Sequence, residues 1–238
     1  LGDDQDLDLT TDRQSISQLP NVVAHFLEQP TTDELDDALW QQGWDILFFA
    51  GHSSGQGHGY LRLNSHKQLT IEELEKSLEK AIHRGLKLAI FNSCDGLTLA
   101  KDLAKLNIPA IVVMREPVPN AVAQKFLRFF LESFSQNTPL DISLIEAQRR
   151  LTRIEKEFPG ASLLPALVQN PAETLPTWQQ LTPSTPSPAQ QRQAKQLIVR
   201  PATQLVPIVE APSPDKSSDP SLVQSFDSRA ASTVFAFR

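Results

Sequence analysis

Asp45-Ile46-Leu47-Phe48-Phe49-Ala50-Gly51-His52-Ser53-Ser54-Gly55 decides how the rest of the chain is read. From Ile46 to Ala50 the run is apolar without alternation, as in a strand covered on both faces, the position of a central strand in a parallel sheet. Lys87-Leu88-Ala89-Ile90-Phe91-Asn92-Ser93-Cys94-Asp95-Gly96 repeats the plan, an apolar run that ends in a polar turn. Three more runs, Asn21–Leu27, Pro109–Met114 and Leu163–Val168, alternate with helical periodicity. The fold class is therefore α/β, with helices layered on a mostly parallel central sheet.

The helices carry their own punctuation. Thr70-Ile71-Glu72-Glu73 is a capping box, in which the side chains of Thr70 and Glu73 satisfy each other's free backbone donors. Ile71, Leu74, Leu78 and Ile82 then share one face, and Gly85 is the stop. Residues 97–106, 120–135 and 141–156 read as further helices, with Pro119 at the start of the second. Gly57–Leu63 is too glycine-rich for a helix and reads as a small hairpin.

Composition excludes several functions. The chain has 238 residues and a net charge of −6, and residues 1–45 hold eleven acids against the single base Arg13. A nucleic-acid binder needs a basic stripe to neutralise phosphates, so nucleic acid is not an expected partner. No apolar run is long enough to span a membrane. The single cysteine, Cys94, rules out an internal disulfide and any multi-cysteine zinc site, and it suits a reducing compartment, the cytoplasm.

All nine glycines lie at or before Gly160, whereas nine of the 18 prolines fall between Pro176 and Pro220. The domain is accordingly expected over 1–178, and 179–238 is read as a disordered Pro/Ser/Gln-rich linker or tail, dispensable for stability from about Thr182. Val234-Phe235-Ala236-Phe237 is read as the start of a further domain. Because the chain opens on Leu1-Gly2 rather than Met, it is read as a piece of a longer protein.

Two chemistries compete at the first turn. Gly51-His52-Ser53-Ser54-Gly55 matches the nucleophile elbow G-x-S-x-G, with Ser53 as nucleophile. That elbow must run directly into a helix, and here Gln56-Gly57-His58-Gly59-Tyr60 intervenes. No histidine lies far enough downstream to close such a triad either. The other reading makes His52 a general base and finds its nucleophile in Cys94, at the end of the second buried strand and just before a helix, whose positive end favours thiolate. A lone cysteine is often a small core hydrophobe, but Ser93, Asp95 and Gly96 make a polar turn around this one.

Three ordered motifs resemble the CHAT domain family of caspase-like, clan CD cysteine peptidases. The family's Ala-Gly-His-Gly is similar to Ala50-Gly51-His52-Ser53, its Ser-Ala-Cys-Glu-Thr-Gly to Asn92-Ser93-Cys94-Asp95-Gly96, and its Met-Arg-Trp-Pro-Val-Pro to Met114-Arg115-Glu116-Pro117-Val118-Pro119. Its closing helix, rich in Ala-Arg-Arg-Leu, is similar to Ala147-Gln148-Arg149-Arg150-Leu151. His52 precedes Cys94 by 42 residues, against roughly 50 in caspases.

The resemblance implies a caspase-like three-layer αβα sandwich and a His52–Cys94 dyad, with the oxyanion held by the backbone N–H groups of Ser53 and Cys94. It also implies a substrate pocket that includes Asn92, Asp95 and Arg115. Ser53 departs from the family's glycine. Asn92 stands where metacaspases place the aspartate that binds a basic P1 side chain, and Asp95 either supplies that charge or caps the following helix. Arg115, which follows a buried strand, either lines the pocket or binds a partner's carboxylate, or else forms a surface ion pair with Glu116 or a neighbour. The family opens on a strand ending Leu-Gly-Asp, so Leu1-Gly2-Asp3-Asp4 is read as its stub, with a gap expected in the sheet beside Ile46 and Phe48.

His25 and His83 read as ordinary strand and helix residues, His58 and His66 as solvated, and Lys76, Lys80, Arg84 and Lys87 as a solvated face. The function read from all this is a cysteine endopeptidase, an enzyme working as the effector or signalling domain of a larger protein. It acts on a protein or peptide substrate, is controlled by other domains of the parent, and needs no cofactor and no metal. The alternative is a catalytically silent caspase-like interaction module.

Overall fold

The computed structural model describes residues 9–41, 43–51, 53–54, 59–64, 66–93, 96–181 and 233–237. His52, Cys94 and Asp95 lie outside them, as do Leu1-Gly2-Asp3-Asp4, His58 and residues 182–232. The elements follow in the order α1 (Thr10–Ser17), β1 (Ala24–Glu28), α2 (Thr32–Gln41), β2 (Ile46–Gly51), β3 (Ser53–Ser54), β4 (Tyr60–Arg62) and β5 (Gln68–Thr70). The chain continues with α3 (Ile71–His83), β6 (Leu88–Ser93), α4 (Gly96–Ala104), β7 (Ala110–Met114) and α5 (Asn120–Phe134). It ends with α6 (Leu140–Leu151), β8 (Pro165–Gln169), α7 (Trp178–Leu181) and β9 (Thr233–Phe237).

The central sheet has six strands in the order β1-β9-β2-β6-β7-β8. β2, β6 and β7 are parallel, and every residue of the three is buried. Their alternate side chains divide between two cores. Ile46, Phe48, Leu88, Ile90 and Val112 pack against α1, α5 and α6, while Leu47, Phe49, Ala89, Phe91 and Val113 pack against α2, α3 and α4. This is the expected α/β architecture, a mostly parallel sheet flanked by helices on both faces. The small sheet β3-β4-β5 is antiparallel and adds Leu61 and Leu69 to the second core.

Local signals account for the helices. Thr70 accepts from the Glu73 N–H and Glu73 accepts from the Thr70 N–H, so the capping box opens α3 as read. That backbone bond, more than any other contact, holds the Glu73 carboxyl below its ordinary pKa. The same code opens α2, where Thr31 and Glu34 exchange equivalent bonds. On α5, Phe126, Phe130 and Phe134 stack at successive turns, and Trp178 of α7 meets the last edge-on at 5.5 Å. The helix read over 141–156 ends at Leu151 and tightens into a 3₁₀ turn over Thr152–Ile154. Its Ala147 and Leu151 are buried, while Arg150 bonds Glu132 and covers the Phe129 ring.

The α3 cations are not simply a solvated face. Lys80 lies over the Trp40 ring, and Arg84 donates to the Trp40 carbonyl. His25 stands on β1 against Trp44, His83 is exposed at the end of α3, and His66 is exposed.

Two expectations need correction. The sheet has no gap beside Ile46 and Phe48, because β9 lies there, antiparallel to both β1 and β2, with Ile46↔Phe237 and Phe48↔Phe235 in register. Val234-Phe235-Ala236-Phe237 is therefore a strand of this sheet rather than the start of a following domain, and the tail reading stops short of residue 233. The reason is pairing: β1 and β2 run parallel to each other, and without β9 each would leave a row of backbone groups unbonded inside the sheet. Removal of residues 233–238 is expected to lower the melting temperature by several degrees, equivalent to about 1 kcal/mol or more. An unchanged melting curve would show that the sheet does not need this strand.

Candidate active site

β2 and β6 are paired residue for residue, from Ile46↔Leu88 to Ala50↔Asn92 and Gly51↔Ser93. His52 follows Gly51 and Cys94 follows Ser93 in the sequence, so both catalytic candidates are the next residues after a register pair. Both strands end on the same side of the sheet, where open α/β sheets bind ligands. α4 begins at Gly96, two residues past Cys94.

The place of Ser53 bears on the nucleophile-elbow reading. It opens β3 and pairs with Leu61 of β4, in a small antiparallel sheet rather than at the start of a helix. The nucleophile-elbow geometry is absent. Of the hairpin read over Gly57–Leu63, only β4 falls inside that range; its antiparallel partners β3 and β5 lie on either side of it, and residues 55–58 lie outside the described residues.

Asn92 is buried on the face it shares with Leu88 and Ile90, and neither atom of its carboxamide has a hydrogen-bond partner among the described residues. A buried amide left unpaired is costly, and native structures keep few. Ser93, on the opposite face, is buried as well. Arg115 is exposed, one residue past β7, and its backbone N–H donates to the Leu164 carbonyl at 2.8 Å. No ion pair joins it to Glu116 among the described residues. The structure thus places Asn92, Ser93 and Arg115 at the ends of β6 and β7.

Two tight contacts near these ends are invisible in the sequence. A Cβ on Gly96 would lie 2.4 Å from the Met114 carbonyl oxygen and 2.6 Å from Val113 Cβ, so only glycine lets α4 start against the end of β7. Gly59, just before β4, is equally close to α4, where a Cβ would meet Leu99 Cα at 2.8 Å. Its backbone N–H donates to Asp102 Oδ2 at 3.1 Å, and Lys105 donates to Oδ1 of the same carboxylate at 2.9 Å. That bond to Asp102 is the main reason the Lys105 pKa is raised. Asp102 was not a sequence candidate, because nothing local marks a contact to a residue 43 positions away.

A layered α/β domain whose parallel strands end together beside a helix start is an open α/β fold with its ligand-binding edge at those strand ends. The family model of the CHAT domain matches residues 10–178, and the chain belongs to that family. The family is caspase-like and ties the chain to peptidase-related function. No curated protein matches the chain. Among the described residues, no helix is long and apolar enough to cross a membrane.

The unpaired amide yields a stability test. Asn92→Val keeps a strand-compatible side chain and removes two unsatisfied polar atoms, so it is expected to raise stability by on the order of 1 kcal/mol. A loss of that size would show that the amide is satisfied in the folded protein.

Proposed function

We propose that the chain is a cysteine endopeptidase domain in which Cys94 is the nucleophile and His52 the general acid and base. The observation that supports this most is the register of β2 and β6, whose last pairs directly precede the two residues. In the proposed reaction the imidazole of His52 takes the Cys94 proton and the thiolate attacks the peptide carbonyl. The N–H groups of Ser53 and Cys94 bind the oxyanion, His52 protonates the leaving amine, and water then hydrolyses the Cys94 thioester. The start of α4 favours thiolate at Cys94. No metal or cofactor takes part.

Asn92, Asp95 and Arg115 are assigned to the substrate pocket. The buried, unpartnered amide of Asn92 supports its part in this, since a polar group held ready at a strand end gains by binding a ligand. The substrate is a protein or peptide, the setting is cytoplasmic, and the domain serves as the effector of a larger protein whose other parts control it. A single thiol that must stay reduced suits that compartment.

Alkylation provides the test. Iodoacetamide at pH 6 is expected to modify Cys94 faster than it modifies the same thiol in the unfolded chain, and a thiol-reactive peptide probe is expected to label the wild type but neither Cys94→Ala nor His52→Ala. A rate equal to that of the unfolded control would remove the dyad and leave the silent interaction module.

A further inference from the structure

The two residues that the proposed reaction must hold together lie on different chain segments, and α4 adjoins described residues that follow each of them in the sequence. It begins at Gly96, two residues past Cys94, and Gly96 locks its first residue against the end of β7. One turn further on, Leu99 receives the backbone of Gly59 at a distance no side chain would permit. One more turn on, Asp102 accepts the Gly59 N–H. Gly59 is buried and leads into β4, whose Leu61 and Tyr60 pair with Ser53 and Ser54, the two residues that follow His52. The contact is therefore a backbone-to-helix clasp, made of a fitted glycine and a charge-assisted hydrogen bond of the stronger class.

We infer that Asp102 is a positioning residue that holds the segment following His52 against the helix following Cys94. The inference rests on the dyad reading for its catalytic consequence, but the clasp itself rests on Gly59, Leu99 and Asp102 alone. The carboxylate is well suited to the task. Its side chain is 17% exposed, so the bond is largely shielded from competing water, and its second oxygen is held by Lys105, which fixes the carboxylate plane. Lys105 is itself 72% exposed and serves as a replaceable support. Neither Asp102 nor Gly59 touches the reacting atoms in the proposed mechanism. A loss of the clasp would act by letting the His52 segment drift, and drifts of about 1 Å are costly in a site that depends on orientation.

Four variants of the full chain separate the possibilities. Asp102→Ala removes the acceptor, Asp102→Asn keeps an oxygen that accepts the same N–H, Asp102→Glu displaces the carboxylate by one methylene, and Lys105→Ala removes only the support. Two readouts are followed: hydrogen exchange of the Gly59 amide by NMR, and the pH profile of Cys94 alkylation. Asp102→Ala is expected to speed Gly59 exchange by roughly tenfold or more, the scale of one hydrogen bond to a charged group, and to shift the alkylation profile towards that of an ordinary thiol. Asp102→Asn, which keeps an acceptor without its charge, should restore most of both effects, Asp102→Glu should fall between Asp102→Ala and Asp102→Asn, and Lys105→Ala should stay close to wild type. Gly59 exchange that does not respond to Asp102→Ala overturns the clasp. Faster exchange with an unchanged alkylation profile overturns the positioning role. A wild-type Cys94 no more reactive than an unfolded thiol overturns the peptidase reading instead, and the exchange data then decide the clasp by themselves.

Discussion

The parallel pairing of β2 with β6 is the constraint on which the rest depends. All residues of both strands are buried, and their side chains alternate between two separate cores. A slip of one residue would exchange Phe48 with Phe49 and Ile90 with Phe91 between those cores, turning every side chain to the wrong face. Truncating one such phenylalanine typically costs about 3–5 kcal/mol, so moving several at once is prohibitive. The register is thus held by hydrophobic burial on both sides, and the residues that follow Gly51 and Ser93 inherit it.

The elements around that pair extend the constraint in two directions. On one side β9 completes the backbone bonding of β2 and joins it to β1, so the strand leading to His52 is paired along both edges. On the other side α4 is pressed close to the end of β7 through Gly96 and to the approach of β4 through Gly59. These glycines serve close packing, because a side chain at either position would force backbone apart. A site built at strand ends gains from both kinds of support, since sites are held more precisely by rigid helices and strands than by loops.

Much of this was legible in the sequence because it is local. The five apolar runs fall within a few residues of β1, β2, β6, β7 and β8, and the Thr70 capping box marks the first turn of α3 to the residue. The code Thr31-Thr32-Asp33-Glu34 was equally present, but its helix carries a weak apolar face with only Leu35 and Leu39 buried. α1 buries only Asp12 and Ile16, too little for a periodicity to show. β9 escaped for a different reason, since five residues at the end of a proline-rich stretch identify their partners only through long-range pairing. The same holds for the Gly59–Asp102 bond. At the candidate site, sequence adjacency to the register pairs was readable from the two strand motifs, whereas the unsatisfied amide of Asn92 depends on what surrounds it in space.

The central claim is that His52 and Cys94, delivered from paired positions, act as one proton-sharing unit. NMR titration of the His52 imidazole in the wild type and in Cys94→Ala tests this directly. A thiolate partner favours the imidazolium, so His52 should titrate at a higher pH in the wild type than in Cys94→Ala, as two coupled groups must. Identical titration curves in the two proteins would contradict the account.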